Sequence, residues 1–230
     1  MRGTNRVWRC RGLAGLACAI AIAVTDTSAA QGTHPVTGRR IAPVMSHRGA
    51  DWLDRAEREE EEAPERALDA IGVRPGQIVV DLGAGSGYFT VRLAERVAPA
   101  GRVFAVDIQP EMIARLRERL QREAIANVTP VLGSESDPKL PDGSADLVLM
   151  VDVYHELASP QQMLRHIARA LRPGGRLVLL EYRKEDPGIP IRPEHKMSVA
   201  EAKAELEAEG YRLVKVSDVL PRQHILIFGR

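Results

Sequence analysis

A short stretch rich in glycine has the composition of a nucleotide-binding turn. It begins at Asp81 and contains Gly83, Ala84, Gly85 and Gly87. Because glycine has no Cβ, glycines at alternate positions let the backbone turn sharply and let a ligand approach it closely. An aliphatic run rich in valine precedes the turn and a helical pattern follows it, so the free N–H groups of a helix start should face a ligand. The stretch therefore predicts a nucleotide site.

Polar residues also follow the ends of the later apolar runs. Asp107 lies twenty residues after Gly87, where a carboxylate can accept hydrogen bonds from both hydroxyls of a ribose, and Ile108 comes next. Ligands of open parallel sheets bind beside the carboxyl ends of the strands, so further residues should meet at the same crevice. These candidates are Gly133, Ser134, Glu135, Asp152, Tyr154, His155 and Glu156.

The spacing of the glycines distinguishes between two classes of nucleotide. The dinucleotide pattern G-x-G-x-x-G requires a third glycine at the position that Tyr88 occupies here. In addition, Asp81 would repel a pyrophosphate, whereas a cofactor that carries an amino group and a sulfonium charge would tolerate or use this acid. The turn therefore favours a sulfonium cofactor over a dinucleotide.

Alternating elements position these residues. One apolar run that predicts a buried strand begins at residue 78, and four others cover residues 103–107, 128–132, 145–151 and 176–180. Helical patterns cover residues 64–71, 90–97, 110–124, 159–171 and 198–210. Strands with little polar alternation, separated by helices, indicate a parallel sheet covered on both faces. Residues 211–219 and 224–228 are joined by only four residues, which forces an antiparallel hairpin. The predicted fold is α/β, a doubly wound Rossmann-like open sheet with five parallel strands and a C-terminal antiparallel hairpin, seven strands in all.

Together these motifs resemble those of the class I S-adenosylmethionine-dependent methyltransferases. The segment from Val80 to Gly87 looks like the first motif of that family, and Asp107 matches its ribose-binding acid. The turn at residues 171–175 and the closing hairpin match the same family, and the resemblance covers about residues 64–230. One departure concerns adenine: many relatives carry Gly-Asp after the third strand, whereas this chain has Gly133-Ser134, for which Glu135 is a candidate substitute.

The resemblance implies S-adenosyl-L-methionine as cofactor and methyl transfer to a small-molecule acceptor of unknown identity. It implies that the glycine turn holds the methionyl carboxylate, that Asp107 holds the ribose and that residues near Asp152 hold the methionyl amino end. The predicted cofactor-binding residues are Asp81, Gly83, Ala84, Gly85, Gly87, Asp107, Ile108, Ser134, Glu135 and Asp152. Two functions stay open beside this one, a non-catalytic module that binds the same cofactor and an NAD-dependent oxidoreductase.

A proton acceptor is needed only if the methyl acceptor must first lose a proton. His155 is the best candidate for that base, and Tyr154 beside it is the second predicted catalytic residue. A structural role for His155 at the start of a helix remains equally open. His195 could reach the same mouth, although a solvated loop is the favoured interpretation there. No metal is predicted, because H-E-x-x-H is absent and no metal-ligand spacing is found at His34, His47, His166 and His224.

The N-terminus differs in kind from the rest of the chain. Four arginines precede an apolar run at residues 13–24, and small residues follow it near residue 30, which is the three-part pattern of a secretory signal peptide. The pattern predicts a signal peptide at residues 1–30 and a periplasmic or secreted protein without stable membrane insertion; cytoplasmic and membrane-anchored forms are the alternatives. Residues 31–63 are predicted as an N-terminal extension, and the acidic run at residues 59–62 as a solvated helix face. The alternative is that Trp52, beside Arg55 and Arg58, belongs to a flap over the site.

The amino-acid composition limits the classes of molecule that the chain is expected to bind. The chain has 230 residues, of which 44% are hydrophobic and 4% aromatic, and its net charge is +1. A near-neutral chain with few aromatic residues gives little electrostatic attraction or base stacking, so no nucleic acid partner is predicted. Sequence gives no prediction of the oligomeric state.

Overall fold

The structure is a computed structural model that describes Met1 and residues 32–230. Its helices are α1 Ala50–Leu53, α2 Arg58–Glu62, α3 Pro64–Ile71, α4 Tyr88–Val97, α5 Pro110–Arg122, α6 Pro160–Ala170 and α7 Val199–Glu207. Its strands are β1 Ile78–Leu82, β2 Arg102–Asp107, β3 Val128–Leu132, β4 Ala145–Val151, β5 Leu171–Tyr182, β6 Arg212–Ser217 and β7 Gln223–Gly229. The predicted leader at residues 1–30 lies almost wholly outside the described residues, and its cleavage stays a prediction.

The seven strands form one sheet in the order β3-β2-β1-β4-β5-β7-β6. Strands β1 to β5 are parallel to one another, and β7 is antiparallel to both β5 and β6. This is the predicted architecture of five parallel strands and a terminal hairpin, with β7 inserted between β5 and β6. The strand order reverses between β1 and β4, and such a reversal opens a crevice at the carboxyl ends of the two strands.

Helices cover both faces of the sheet, as the nearly continuous apolar strands predict. Along β1, Val79 packs in one cluster with residues of α3 and α4, and Val80 packs in the other with residues of α6 and α7. Helix α5 lies on the α3 and α4 side, where Leu116 packs against Ala105 of β2. Successive side chains of a strand point to opposite faces, so a strand buried on both sides must be apolar at nearly every position.

Two predicted boundaries are wrong by several residues. Strand β5 begins at Leu171 rather than at residue 176, because Leu171 already pairs with Ala145 of β4. Arg176 then pairs with Leu147, so the Pro-Gly-Gly turn forms an irregularity within the strand rather than a separate loop. Helix α7 ends at Glu207, three residues before the predicted end at Gly210. Among the helices of residues 32–230, none combines the length and the apolar content needed to cross a bilayer.

The acidic run is a solvated helix face only in part, because Glu59 and Glu60 are exposed as predicted whereas Glu62 is buried. Its last residue, Glu62, is only 1% exposed and accepts a hydrogen bond from Arg58 Nε at 2.8 Å. The hydroxyl of Tyr182 also donates to Glu62, at 3.2 Å. Glu59 and Glu61 pair with arginines as well, at Arg92 and Arg55. Helix α2 is therefore fastened to the body of the protein by charge pairs.

Candidate active site

A cavity of about 610 Å³ lies at the crevice between β1 and β4. Its floor is formed by the ends of β1, β2 and β4, and its cover by residues 43–45 and 52–53 of the N-terminal extension. Eight of the twelve predicted site residues line it: Gly83, Gly85, Asp107, Ile108, Ser134, Glu135, Asp152 and His155. The structure thus brings together residues that the sequence spreads over more than seventy positions.

The glycine turn is packed too closely for side chains. Gly83 has φ +82°, and a Cβ on it would overlap the side chain of Val153. A Cβ on Gly85 would lie 2.8 Å from Leu53 Cδ1, in the cover of the cavity. A close approach of backbone to neighbouring atoms is what glycine permits at such positions, so the turn presents bare backbone to the cavity.

Asp107 is held in place by backbone donors at the tip of β2. Its Oδ2 accepts from Gly85 N and its Oδ1 from Gln109 N, both at 2.9 Å. Burial raises the pKa of this carboxyl, and the two backbone hydrogen bonds partly oppose that effect. Each carboxylate oxygen has two lone pairs and uses one, so Asp107 can still accept from two hydroxyls in the cavity.

Asp152 presents a buried carboxylate oxygen that lacks a partner. Its Oδ2 accepts from Gln223 Nε2 at 2.7 Å, while its Oδ1 has no hydrogen-bond partner among the described residues. Burial raises the pKa of Asp152 well above its ordinary value, and the negative charges of Glu62 and Glu181 raise it further. Its backbone is also strained, with φ +54°. A buried carboxylate oxygen without a partner is stabilised by a cationic hydrogen-bond donor, and a ligand ammonium group would supply one.

His155 lies between two acids and a second histidine. Its Nδ1 is 2.6 Å from Glu181 Oε2, and its Nε2 is 3.1 Å from Nδ1 of His195. Burial acts to lower the pKa of His155, but the charge of Glu181 and the hydrogen bond to it prevail, so the pKa lies above its ordinary value. His195, predicted as part of a solvated loop, instead lines the cavity on the turn Pro193–His195.

The N-terminal extension closes the cavity from above. The side chain of Gln109 donates from Nε2 to the carbonyl of Met45 at 2.9 Å and accepts from His47 N at 2.8 Å. Trp52 lines the cavity, and the guanidinium of Arg55 lies 3.6 Å from the centre of its ring. These contacts agree with the alternative of a flap near Trp52. A ligand below the flap would be shielded from solvent.

Four predicted site residues do not line the cavity. Asp81 is buried beneath the glycine turn, where its Oδ2 accepts from Thr90 Oγ1 at 2.6 Å. Ala84 and Gly87 belong to the turn but do not reach the cavity surface. Tyr154 is fully buried in the core on the side of α6 and α7, so its position does not suit the predicted catalytic role.

Several functional candidates escaped the sequence analysis. Arg58 lines the cavity, and Glu181 orients His155 from the end of β5. The ending of an apolar strand in an acid was the available signal for Glu181, as it was for Asp107. Met45, Ile191 and Arg192 also line the cavity, and their positions in irregular loops give no periodic signal at all.

Comparisons with known proteins agree with this geometry. Residues 79–175 match a family model described as a methyltransferase domain. A segment of 119 residues is 36% identical to the ubiquinone/menaquinone biosynthesis C-methyltransferase UbiE of Hydrogenovibrio crunogenus, covering 51% of this chain and 47% of that protein. A segment of 114 residues is 41% identical to an uncharacterized 37.1 kDa transposon protein of Streptomyces fradiae, covering 50% of this chain and 32% of that one. The chain thus spans at most about half the length of these curated relatives.

A solved structure extends the similarity beyond that segment. A SAM-dependent methyltransferase from Aquifex aeolicus is 28% identical, with a TM-score of 0.77, and the match covers 80% of this chain and 98% of that one. A type 11 methyltransferase from Sulfolobus solfataricus, at 23% identity and a TM-score of 0.62, shares the fold. The comparisons indicate S-adenosylmethionine as the cofactor of this domain.

Proposed function

We propose that this chain transfers a methyl group from S-adenosylmethionine to a small-molecule acceptor bound in the same cavity. The observation that carries the proposal is the pair of carboxylates at the ends of β2 and β4. Asp107 keeps free lone pairs for two hydroxyls, and Asp152 keeps an unpaired oxygen for a cation. A ribose diol and a methionyl ammonium group, joined in one molecule, satisfy both.

The described residues fit the ribose and the methionyl end of this cofactor. Asp107 would hold the ribose hydroxyls, and Asp152 would hold the ammonium group. Arg58 would face the carboxylate, since a guanidinium suits an anion, and the absence of side chains at Gly83 and Gly85 would let the ligand approach closely. When bound, the cofactor supplies a methyl group already activated by its sulfonium charge.

The acceptor side of the cavity is largely apolar. Residues that line it beyond the cofactor positions include Trp52, Leu157, Met163, Pro190 and Ile191. A cavity of about 610 Å³ lies within the range of roughly 300–1,000 Å³ typical of small-molecule sites. Trp52, Pro190 and Ile191 lie outside residues 79–175, which match the family. For that reason the quinone named in the UbiE relatives is not carried over to this chain.

His155 is the residue placed to take a proton from the acceptor. Glu181 holds its Nδ1, so the neutral ring would direct the lone pair of Nε2 toward His195 and the cavity. Covering the site and aligning the acceptor would supply much of the remaining catalysis, because displacement at an activated carbon depends on orientation and on exclusion of water.

The test is methyl transfer by the purified full-length chain. With methyl-labelled S-adenosylmethionine and a panel of thiols, amines, phenols and carboxylic acids, we expect acceptor-dependent transfer of label. For an acceptor that must lose a proton, His155→Asn should lower the rate about 10²-fold or more. His166→Asn, on the outer side of α6, is the matched control and should leave the rate unchanged.

Two other outcomes would lead to the alternative functions. Binding of NAD without binding of S-adenosylmethionine would overturn the proposal and favour an oxidoreductase. Binding of S-adenosylmethionine with no transfer to any acceptor class would favour a non-catalytic module that retains the cofactor site.

A further inference from the structure

Three potential metal ligands meet at the acceptor side of the cavity. Nε2 of His155 and Nδ1 of His195 are 3.1 Å apart. Oε1 of Glu156 lies 3.8 Å from the first of these nitrogens and 3.6 Å from the second. Metal bonds of about 2.0–2.2 Å at tetrahedral or octahedral angles place ligand atoms roughly 3 to 3.5 Å apart. The two nitrogens already satisfy this spacing, and the partly exposed Glu156 needs to move by only a few tenths of an ångström.

An outer carboxylate orients the most buried of the three ligands. Glu181 Oε2 is 2.6 Å from Nδ1 of His155 and is itself fully buried. Histidines that bind metals commonly donate their second N–H group to such a carboxylate, which fixes the tautomer and makes the ligating nitrogen more basic. The second oxygen of Glu181 accepts from Tyr154 N at 2.9 Å, so this carboxylate is held firmly.

Within residues 32–230, the ion pairs of Glu156 are with these two histidines, and its carboxylate makes no hydrogen bond there. It lines the cavity together with both histidines, so a ligand in the cavity has access to the space between them. Glu156 and Glu181 together carry two negative charges, which match the charge of a dication between neutral imidazoles.

We propose that His155, Glu156 and His195 form a binding site for one divalent transition-metal ion. Two imidazoles and one carboxylate suit Zn²⁺ and the other first-row dications better than the hard ions Mg²⁺ and Ca²⁺, which prefer oxygen ligands. Three protein ligands leave coordination positions open toward the cavity, as in metal sites that take part in a reaction. Linear spacing does not reveal this site, because His195 lies forty residues after His155.

A metal ion here would define the class of methyl acceptor, a consequence that rests on the proposed function. An acceptor hydroxyl in an open coordination position would lose its proton more readily, since a bound dication stabilises the negative oxygen. The O–H bond breaks, the proton passes to water, and the oxygen retains the electron pair. His155 is then a ligand rather than a base, and the acceptor is an alcohol, phenol or enol.

The experiment measures Zn²⁺ binding to the full-length, untagged chain after treatment with a chelator. Titration against a chromophoric competitor should show one Zn²⁺ per chain. His195→Ala should weaken binding about 100-fold or more, and Glu181→Gln about 10- to 100-fold, the usual cost of losing an outer partner. His166→Ala, remote from the cluster, should bind Zn²⁺ like the parent.

Two results would contradict the metal site. Less than one Zn²⁺ per chain, or an affinity that His195→Ala leaves unchanged, would overturn the proposal and return the two histidines to a direct hydrogen bond. If His195→Ala does not fold, Glu156→Gln removes a ligand charge from a partly exposed side chain and gives the same comparison. Titration of the metal-free protein with S-adenosylmethionine separates the two proposals, because the cofactor contacts are on Asp107 and Asp152 rather than on this cluster.

Discussion

The carboxylate of Asp81 is part of the scaffold of the glycine turn. It is 3% exposed, and its hydrogen bond from Thr90 joins the end of β1 to the first turn of α4. Burial raises the pKa of Asp81 to about 6, and the hydrogen bond from Thr90 only partly opposes this rise. Asp81 would repel a pyrophosphate only as a charged acid near the ligand, and its buried position beneath the turn reduces that repulsion.

The buried Asp81 makes stability depend on pH in a defined direction. Its pKa in the folded chain, about 6, exceeds the ordinary value of 3.8, so the folded state retains a proton that the unfolded state releases first. Its contribution to stability is therefore full below about pH 4 and is lost as the pH rises to 6, by roughly 3 kcal/mol.

Asp81→Asn keeps the shape of the side chain and removes the ionisation. Relative to the parent, the free energy of unfolding of the variant should rise by up to about 3 kcal/mol between pH 4 and pH 7. Urea unfolding of both proteins across that range measures the difference, with the exposed Asp142→Asn as control. A difference that stays flat with pH would show that Asp81 is not the titrating group.

At the scale of elements, one buried ion pair fastens the N-terminal extension to helix α7. Arg39 donates to Glu205 from Nε at 2.8 Å and from Nη2 at 3.0 Å, and both side chains are buried. Thr37 donates to the same carboxylate, and Arg39 also donates to the carbonyl of His155 at 3.1 Å. The extension is thereby held next to the residue that lies at the centre of the acceptor side.

Removing Glu205 should release this attachment. Glu205→Ala leaves the Arg39 guanidinium buried without its partner, which should cost about 3–5 kcal/mol of stability. Amide hydrogen exchange should then increase in residues 33–42, where Ala42 N donates to the carbonyl of His155.

Glu207→Ala is the matched control, because Glu207 lies on the same helix but is exposed. It should change stability by less than about 0.5 kcal/mol. Equal effects of the two substitutions, or unchanged exchange in residues 33–42 of Glu205→Ala, would contradict the proposed attachment.

The elements that the sequence predicts well are those with a local signal. Strand β3 and strand β4 begin and end where their apolar runs do, and helix α3 covers the predicted residues 64–71 and is followed by Gly72, with φ +74°. The burial of Met112, Ile113, Leu116 and Leu120 on α5 follows from their helical spacing.

Contacts between distant segments have no such signal. Arg39 and Glu205 lie 166 residues apart, and from the sequence each of them alone would be predicted to be an exposed charged residue. Glu62 and His195 are misjudged for the same reason, because their burial and contacts depend on elements far away in the chain. The proximity of Asp107 and Asp152 was predictable because the carboxyl ends of parallel strands must meet at one edge.

At the scale of the whole molecule, the topology of the sheet brings the site together. The reversal of strand order between β1 and β4 places Asp107 and Asp152 at one crevice, and the extension covers the cavity that they face. The acceptor side draws on residues from the extension and from the loop before α7. The family-matched segment thus contains Asp107, Asp152 and His155, and the flanking segments add Arg58, Trp52, Pro190, Ile191 and His195 to the cavity.

The most direct test of the account is calorimetric titration of the full-length chain with S-adenosylmethionine. We expect one cofactor bound per chain, with Asp107→Asn about 10- to 100-fold weaker because charge-assisted hydrogen bonds to the ribose are lost. The control Asp142→Asn, an exposed acid remote from the cavity, should bind like the parent. Absence of saturable binding, or equal affinity of Asp107→Asn and the parent, would contradict the assignment of this cavity to the cofactor.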